Sequence, residues 1–413
     1  MTVDLSRLPL PAEKRLAVRI TPEAQRALRH GHPWVFDKAV RSVSPEGHAG
    51  DLAVIFDKFR RFMAVGLYDP ESPIRVRVLQ HETPAFIDRA FLRGRLLAAA
   101  ARRSPLANSG TDGYRLVHGE NDGLPGLVID RYAATLVIKL YTRAWLPWLN
   151  TLLDALDDVQ PFERVVLRLS RAAASDETRL YGLSDGSTLR GDAPVAPVEF
   201  HENSLLFAAD VVRGQKTGFF LDQRDNRARI RSLARGCRVL NVFAYSGGFS
   251  VYAAAGGAPS VVSVDLSAAA LADAELNFRL NRSIPAVAAC RHQLIIGDAL
   301  EVLADLGRTG ARFDLVIVDP PAFAKRESEA AGALQSYARL TKLALAATRP
   351  GGTVALASCS SRVSAADFFA TITDAAAAAK RPLREIERTG HAQDHPIGFP
   401  EGAYLKCLFA VAP

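Results

Sequence analysis

The stretch from Gly236 to Asp265 limits the folds open to this chain more than any other. Val239 to Phe243 is a short apolar run of the kind a buried strand shows. Tyr245, Ser246, Gly247 and Gly248 follow as a tight turn. Small and apolar residues from Phe249 to Ala255 suit a packed helix that stops at Gly256 and Gly257. A second apolar run, Val261 to Val264, ends on Asp265. In such a unit the glycines let backbone approach a ligand, and the acid at the second strand's end can accept hydrogen bonds from a ribose. A dinucleotide fingerprint needs Gly-x-Gly-x-x-Gly. Here Gly247 and Gly248 are adjacent and Phe249 to Tyr252 contain no glycine, so the pyrophosphate cradle is incomplete. A ligand with a ribose but no phosphate fits better, and S-adenosylmethionine is the commonest. The alternative is an α/β unit whose glycines only turn the chain.

The chain around this unit keeps alternating. Glu199 to Phe207 reads as a hairpin, and the polar and aromatic run Gly214 to Arg227 feeds a basic helix through Leu233. Ser267 caps a helix to about Asn281. Strands follow at Leu294 to Ile296, ending in Gly297-Asp298, and at Phe313 to Val318, ending in Asp319-Pro-Pro-Ala-Phe-Ala-Lys. A helix over Ala330 to Ala347 precedes a strand, Thr353 to Ala357, that ends in Ser358-Cys359-Ser360. A helix from Ala365 to Lys380 and strands near Leu383 to Arg388 and Tyr404 to Val411 complete residues 196–413. The pattern predicts an α/β domain with a mostly parallel seven-stranded sheet covered by helices. Tyr245, Asp265, Asp298, Asp319 and Cys359 then converge on the crevice outside the strands' carboxyl ends.

Residues 1–80 read as a β-rich domain and residues 81–195 as a central α+β domain. Thr21 caps a short helix with Pro22 at its first position. Lys58, Arg60 and Arg61 sit at a hairpin tip where they can reach phosphates, and Trp34 and Phe36 are read as core. Ala85 to Arg103 should be a helix with Phe86, Ile87, Ala90, Phe91, Leu97 and Ala98 on its apolar face; Trp145 to Leu156 should be another. Residues 1–110 hold 18 Lys or Arg against 11 Asp or Glu, and the remainder hold 33 of each. The whole excess of positive charge sits in the first quarter, as expected for a phosphate-binding platform joined to an enzyme. The four cysteines form no Cys-x-x-Cys pair, so no metal site or disulfide framework is indicated. No apolar run approaches the ~20 residues of a membrane span. A reduced, cytoplasmic setting with no membrane partner is expected.

Several of these segments together resemble a known family. The His-Pro-Trp-Val-Phe stretch at His32 resembles a PUA domain, a small RNA-binding module. Gly214 to Arg227, Asn241 to Gly248, Asp265, Asp298, Asp319 to Lys325 and Ser358 to Ser360 resemble the Rossmann-like class I methyltransferase domain. They are most similar to the PUA-containing family that makes 5-methylcytosine in large-subunit ribosomal RNA. The resemblance implies that Asp265 holds the ribose hydroxyls of S-adenosylmethionine and Asp298 accepts from the adenine amino group. Asn241, Tyr245, Ser246 and Gly247 would line the methionine end, with Phe220, Gln223 and Arg224 closing over the cofactor. Asp319, at that same crevice, is counted with both the cofactor and the catalytic residues. Ribosomal RNA or a ribosomal subunit precursor would be the partner, and a homodimer is left open.

Cytosine C5 is too weak a nucleophile to take a methyl group directly. A thiolate adding to C6 enriches C5, and Cys359 is the cysteine at a strand end beside the crevice. Asp319 would hydrogen-bond the cytosine N3 and amino edge, Phe323 would stack on a flipped base, and Lys325 would meet a phosphate. Cys237, Cys290 and Cys407 are read as small buried hydrophobes. Two rivals remain: methylation of a base nitrogen, for which Asp-Pro-Pro-Ala-Phe is also suited, and an RNA-binding ribosome-assembly factor with a non-catalytic cofactor site.

Overall fold

The computed structural model describes residues 3–324 and 326–413. The chain divides into two compact units. One comprises Met1–His201, Ala209–Phe219 and Asp394–Phe399; the other comprises Glu202–Ala208, Phe220–Gln393 and Pro400–Pro413.

Two sheets build the first unit. Strands β1 (Leu16–Ile20), β2 (Trp34–Phe36), β3 (Val40–Ser44), β4 (Leu52–Phe56), β5 (Phe62–Tyr68) and β6 (Ile74–His81) pair in the order β2-β6-β5-β4-β1-β3. Helix α1 (Pro22–Arg29) starts as expected, with the Thr21 hydroxyl accepting from Ala24 N. Helix α2 (Arg89–Arg103), capped by Asp88, leads to β7 (Gly113–His118), β8 (Leu127–Tyr132), β9 (Thr135–Leu140), β10 (Arg164–Leu169) and β11 (Thr188–Arg190), in the order β11-β10-β9-β8-β7. One cluster of buried side chains takes in Leu52, Val65 and Leu67, Leu92 and Leu96 of α2, and Leu127 and Ile129 of β8.

Three expectations change here. The buried face of α2 is Leu92, Leu96, Ala99 and Arg103, while Phe86 lies ahead of the helix and, like Leu97, is exposed. The expected face was drawn over Phe86 and Ile87, and the helix begins only at Arg89. Trp145 to Leu156 is not one α-helix: a 3-10 turn, Arg143–Trp148, precedes α3 (Leu149–Asp157), and Pro147, which has no N–H, lies inside that turn. Phe36 is 44% exposed rather than core, and Trp34 is half-buried with Nε1 donating to Glu120 Oε1 at 2.8 Å.

Strands β12 (Val198–Glu202) and β13 (Leu205–Ala209) pair across a two-residue turn, Asn203 and Ser204, both at positive φ. In the second unit, α4 (Arg224–Leu233) precedes β14 (Arg238–Val242), α5 (Gly248–Ala255), β15 (Ser260–Asp265), α6 (Ala268–Leu280), α7 (Pro285–Ala289) and β16 (Arg291–Ile296). Then come α8 (Ala299–Arg308), β17 (Phe313–Val318), α9 (Ala330–Ala347), β18 (Thr348–Ser358), α10 (Ala365–Ala378), β19 (Arg384–Thr389) and β20 (Lys406–Ala412). The seven strands pair as β16-β15-β14-β17-β18-β20-β19; β20 runs antiparallel to β18, and the first five strands are parallel. Chain order reverses between β14 and β17, the position at which open α/β sheets bind ligands. Leu240, Val316, Val354 and Leu356 pack with Tyr337, Leu340 and Phe368 on one side of this sheet.

The first unit depends on a buried ion pair. Arg103 Nη1 and Nη2 reach Asp122 Oδ1 and Oδ2 at 2.8 and 2.7 Å, and the same guanidinium donates to the carbonyls of Ala99, Arg115 and Asp394. Removing one partner strands an uncompensated charge at a cost of ~3–5 kcal/mol. Asp122→Ala should therefore lower the urea midpoint strongly. Asp158→Ala, which frees the exposed Arg89, should change stability by under ~1 kcal/mol. Equal shifts would contradict this ranking.

Candidate active site

Loops at the carboxyl ends of the parallel strands build the site. After β14 the chain makes a tight loop in which Phe243, Tyr245 and Gly247 all have positive φ, at 62°, 47° and 74°. Gly247 cannot be replaced freely: a Cβ there would lie 2.7 Å from Ala274 Cβ. The two non-glycine residues cost of order 1 kcal/mol or more each. Hydrogen bonds hold them: Ala244 N donates to Val264 O, Tyr245 N to Asp265 Oδ2, and Asn277 Nδ2 to Ser246 O, at 2.9, 2.8 and 2.8 Å. Asp265 also accepts from Ser267 N through Oδ1 at 2.9 Å. One carboxylate thus ties the loop after β14 to the end of β15 and keeps lone pairs for a ligand.

Asp298, on the neighbouring strand end, caps α8, its Oδ1 accepting from Leu300 N and Glu301 N. The sequence reading missed two residues beside these acids. Leu266 follows Asp265 and is 73% exposed; Ile296, paired in register with Asp265, is 63% exposed. The available signal was an apolar residue within two positions of a strand-end acid on each of two neighbouring strands. Two carboxylates, two exposed aliphatic side chains and no phosphate cradle suit an adenosine group.

Asn241 is fully buried within β14. Its Nδ2 donates to Ser250 Oγ, which bonds Ser263 Oγ, which in turn bonds His292 Nε2, at 2.8, 2.7 and 2.9 Å. Burial pushes His292 down to about 4, so this ring is neutral at physiological pH. Asn241 is thus linked to the first turn of α5. The Phe220 ring meets Tyr245 edge-on at 5.0 Å. Gln223 is buried and accepts from Asn226 Nδ2, and Arg224 is buried with Nε on Asp225. Arg227 holds the same segment: it donates to Phe220 O and pairs with buried Glu202 through two bonds of 2.7 and 2.6 Å. The first half of this motif has another attachment. Thr217 belongs to the first unit, where its hydroxyl meets Asp130 at 2.5 Å and Tyr132 at 3.0 Å.

Asp319 and Cys359 come directly after the adjacent strands β17 and β18, and Cys359 Sγ lies 3.8 Å from Pro320 O. Tyr337 OH bonds Ser358 Oγ at 2.8 Å, and Ser360 Oγ donates to Ala324 O. The Phe323 ring packs 5.1 Å from Tyr337. Lys325 lies outside the described residues. Burial pushes the other three thiols up: Cys290 to about 11, Cys407 further, and Cys237 in the same direction. Only Cys407 is fully buried as expected; Cys237 and Cys290 are half-buried.

The expected cofactor and catalytic residues all lie in the second unit. Lys58, Arg60 and Arg61 lie in the first unit, between β4 and β5. Asp57 accepts from Arg61 N and Nε, and Phe59, 66% exposed, carries the Lys58 ammonium and Arg61 guanidinium over its ring.

The chain matches the S-adenosylmethionine-dependent methyltransferase family over residues 169–410 and a PUA-like domain over 18–81. It is 47% identical over 406 residues to a Deinococcus radiodurans protein named ribosomal RNA large subunit methyltransferase, covering 97% of this chain and 98% of that one. It is 37% identical over 400 residues to a Shewanella denitrificans protein named ribosomal RNA large subunit methyltransferase I, covering 96% and 99%. A solved structure of a Streptococcus mutans protein shares the fold, with a TM-score of 0.79 at 19% identity, covering 96% of this chain and all of that one. The chain thus belongs to the S-adenosylmethionine-dependent methyltransferase family, as a member with a PUA-like domain ahead of the methyltransferase domain.

Proposed function

We propose that this methyltransferase forms 5-methylcytosine in large-subunit ribosomal RNA through a covalent bond between Cys359 and cytosine C6. The observation that carries the reading is the half-buried Cys359 at the end of β18, within 3.8 Å of Pro320 O in the Asp319-Pro-Pro segment. The relatives named for large-subunit ribosomal RNA support the substrate. Residues 1–80 would bind RNA, 81–195 would link, and 196–413 would carry the chemistry.

Bound S-adenosylmethionine supplies an electrophilic methyl group. Asp265 would accept from both ribose hydroxyls, Asp298 from the adenine amino group, and Leu266 and Ile296 would cover the adenine faces. Tyr245, Ser246 and Gly247 would face the methionine end, with Phe220, Gln223 and Arg224 packed over it and Asn241 bracing the loop from beneath. The Cys359 thiolate adds to C6 and raises electron density at C5, which takes the methyl group; a base then removes the C5 proton, and the electron pair it leaves re-forms the C5–C6 double bond and expels the Cys359 thiolate. Asp319 would hold the cytosine N3 and amino edge as the adduct forms. Phe323 would stack on the flipped base, and Lys58, Arg60, Arg61 and Lys325 would contact phosphates.

Two outcomes are expected. Cys359→Ser should abolish methyl transfer to RNA while cofactor binding, measured by calorimetry, stays within twofold; Asp265→Ala should weaken cofactor binding ~10–100-fold. Methyl transfer persisting in Cys359→Ser would favour a base nitrogen as acceptor, and absence of cofactor binding by the unaltered protein would favour an assembly factor. RNA affinity should fall steeply with salt, and replacing Lys58, Arg60 and Arg61 with alanine should flatten the log–log slope by roughly one per lost phosphate contact. An unchanged slope would remove this loop from the RNA surface.

A further inference from the structure

Lys406 is the first residue of β20 and pairs with Ser358, the last residue of β18, on the antiparallel side of the sheet. It is only 4% exposed. Its ammonium donates to the carbonyls of Ser360 and Val363, both at 2.5 Å, and so spans the turn that begins at Cys359. Two neutral carbonyls compensate a buried cation poorly. An apolar residue of similar length would fill the space without that cost, so the charge itself calls for an account. Burial pushes Lys406 down to about 8, and the Cys359 thiolate is the charge that acts in the opposite direction.

We propose that Lys406 is a positioning residue for the nucleophile: its ammonium fixes the turn after Cys359 and stabilises the Cys359 thiolate for attack. This rests on the role given to Cys359 above. Three other described residues near that thiol do not take this part. From α9, Tyr337 bonds Ser358 and is pushed up to about 12 by burial, so it stays neutral. From the end of β17, Asp319 brings a carboxylate, which opposes a second anion. Arg362, in the same turn as Ser360, is exposed.

In the step itself the thiol gives its proton to solvent. The sulfur lone pair forms the S–C6 bond while the C5–C6 π pair moves toward C5. Lys406 neither gains nor loses a proton, so its support is present below pH about 8 and fades above it.

The test is the rate at which iodoacetamide alkylates Cys359 as a function of pH. It is read peptide by peptide by mass spectrometry so that Cys237 and Cys290 are counted separately. In the unaltered protein the midpoint should lie about one unit or more below the ordinary thiol value of ~8.5. Lys406→Met should raise the midpoint by about one unit and slow alkylation at pH 7 about tenfold. Lys406→Arg, which keeps the charge, should stay within about half a unit of the parent. A midpoint at the ordinary thiol value in the unaltered protein, or Met and Arg variants that shift alike, would overturn the proposal; the first needs no variant to fold. Because no RNA or methyl transfer is involved, the outcome is independent of the test of Cys359→Ser. A low midpoint without cytosine methylation would overturn the cytosine reading, and with it the nucleophile that Lys406 serves, while leaving the effect of Lys406 on the thiol intact.

Discussion

One carboxylate holds the loop after β14 in shape. Asp265 accepts from Tyr245 N through one oxygen and from Ser267 N through the other. Each charge-assisted bond contributes ~1.5–3 kcal/mol, enough to offset Phe243 and Tyr245 in left-handed backbone. Without the carboxylate, the loop after β14 would relax toward ordinary dihedrals and Gly247 would lose its close approach to Ala274. The same oxygens retain lone pairs outward. Under the proposed cofactor placement, support of the loop and recognition of a ribose would be two uses of one group, which an amide or a shorter side chain could not serve together.

Buried polar contacts elsewhere follow the same logic. The chain Asn241, Ser250, Ser263 and His292 carries hydrogen bonds beneath the loop, from the sheet to α5. Arg227 and Glu202 satisfy each other while Arg227 also holds Phe220 O. In the first unit, Asp130 and Tyr132 secure Thr217. These groups are costly to bury unless each finds its partner. Their geometry is therefore specific, and the segments they hold inherit it.

Much of this was legible in the sequence because local signals agreed. Ser267 capping α6, Pro22 opening α1 and the alternation of apolar runs with helices gave the seven-stranded sheet and its convergent strand ends. What escaped was set by tertiary context. The face of α2 depended on where the helix began. Strand β11 has only three residues, and α8 was overlooked although Asp298 and Glu301 stand at capping spacing. Leu266 and Ile296 read as ordinary apolar residues until their exposure was known. Lys406 was not singled out within the expected strand Tyr404 to Val411, since nothing local shows that its neighbour across the sheet precedes Cys359. Thr217 stood inside the run Gly214 to Arg227, assigned as a whole to the methyltransferase domain, yet its partners lie on β8.

The central claim is that Cys359 bonds covalently to cytosine during transfer. Mass spectrometry of the protein incubated with S-adenosylmethionine and an RNA carrying 5-fluorocytosine tests it directly, because fluorine at C5 cannot leave as a proton and the adduct is trapped. The account predicts a protein–RNA adduct mapping to the peptide that contains Cys359. No adduct, with methyl groups still transferred to ordinary RNA, would contradict it.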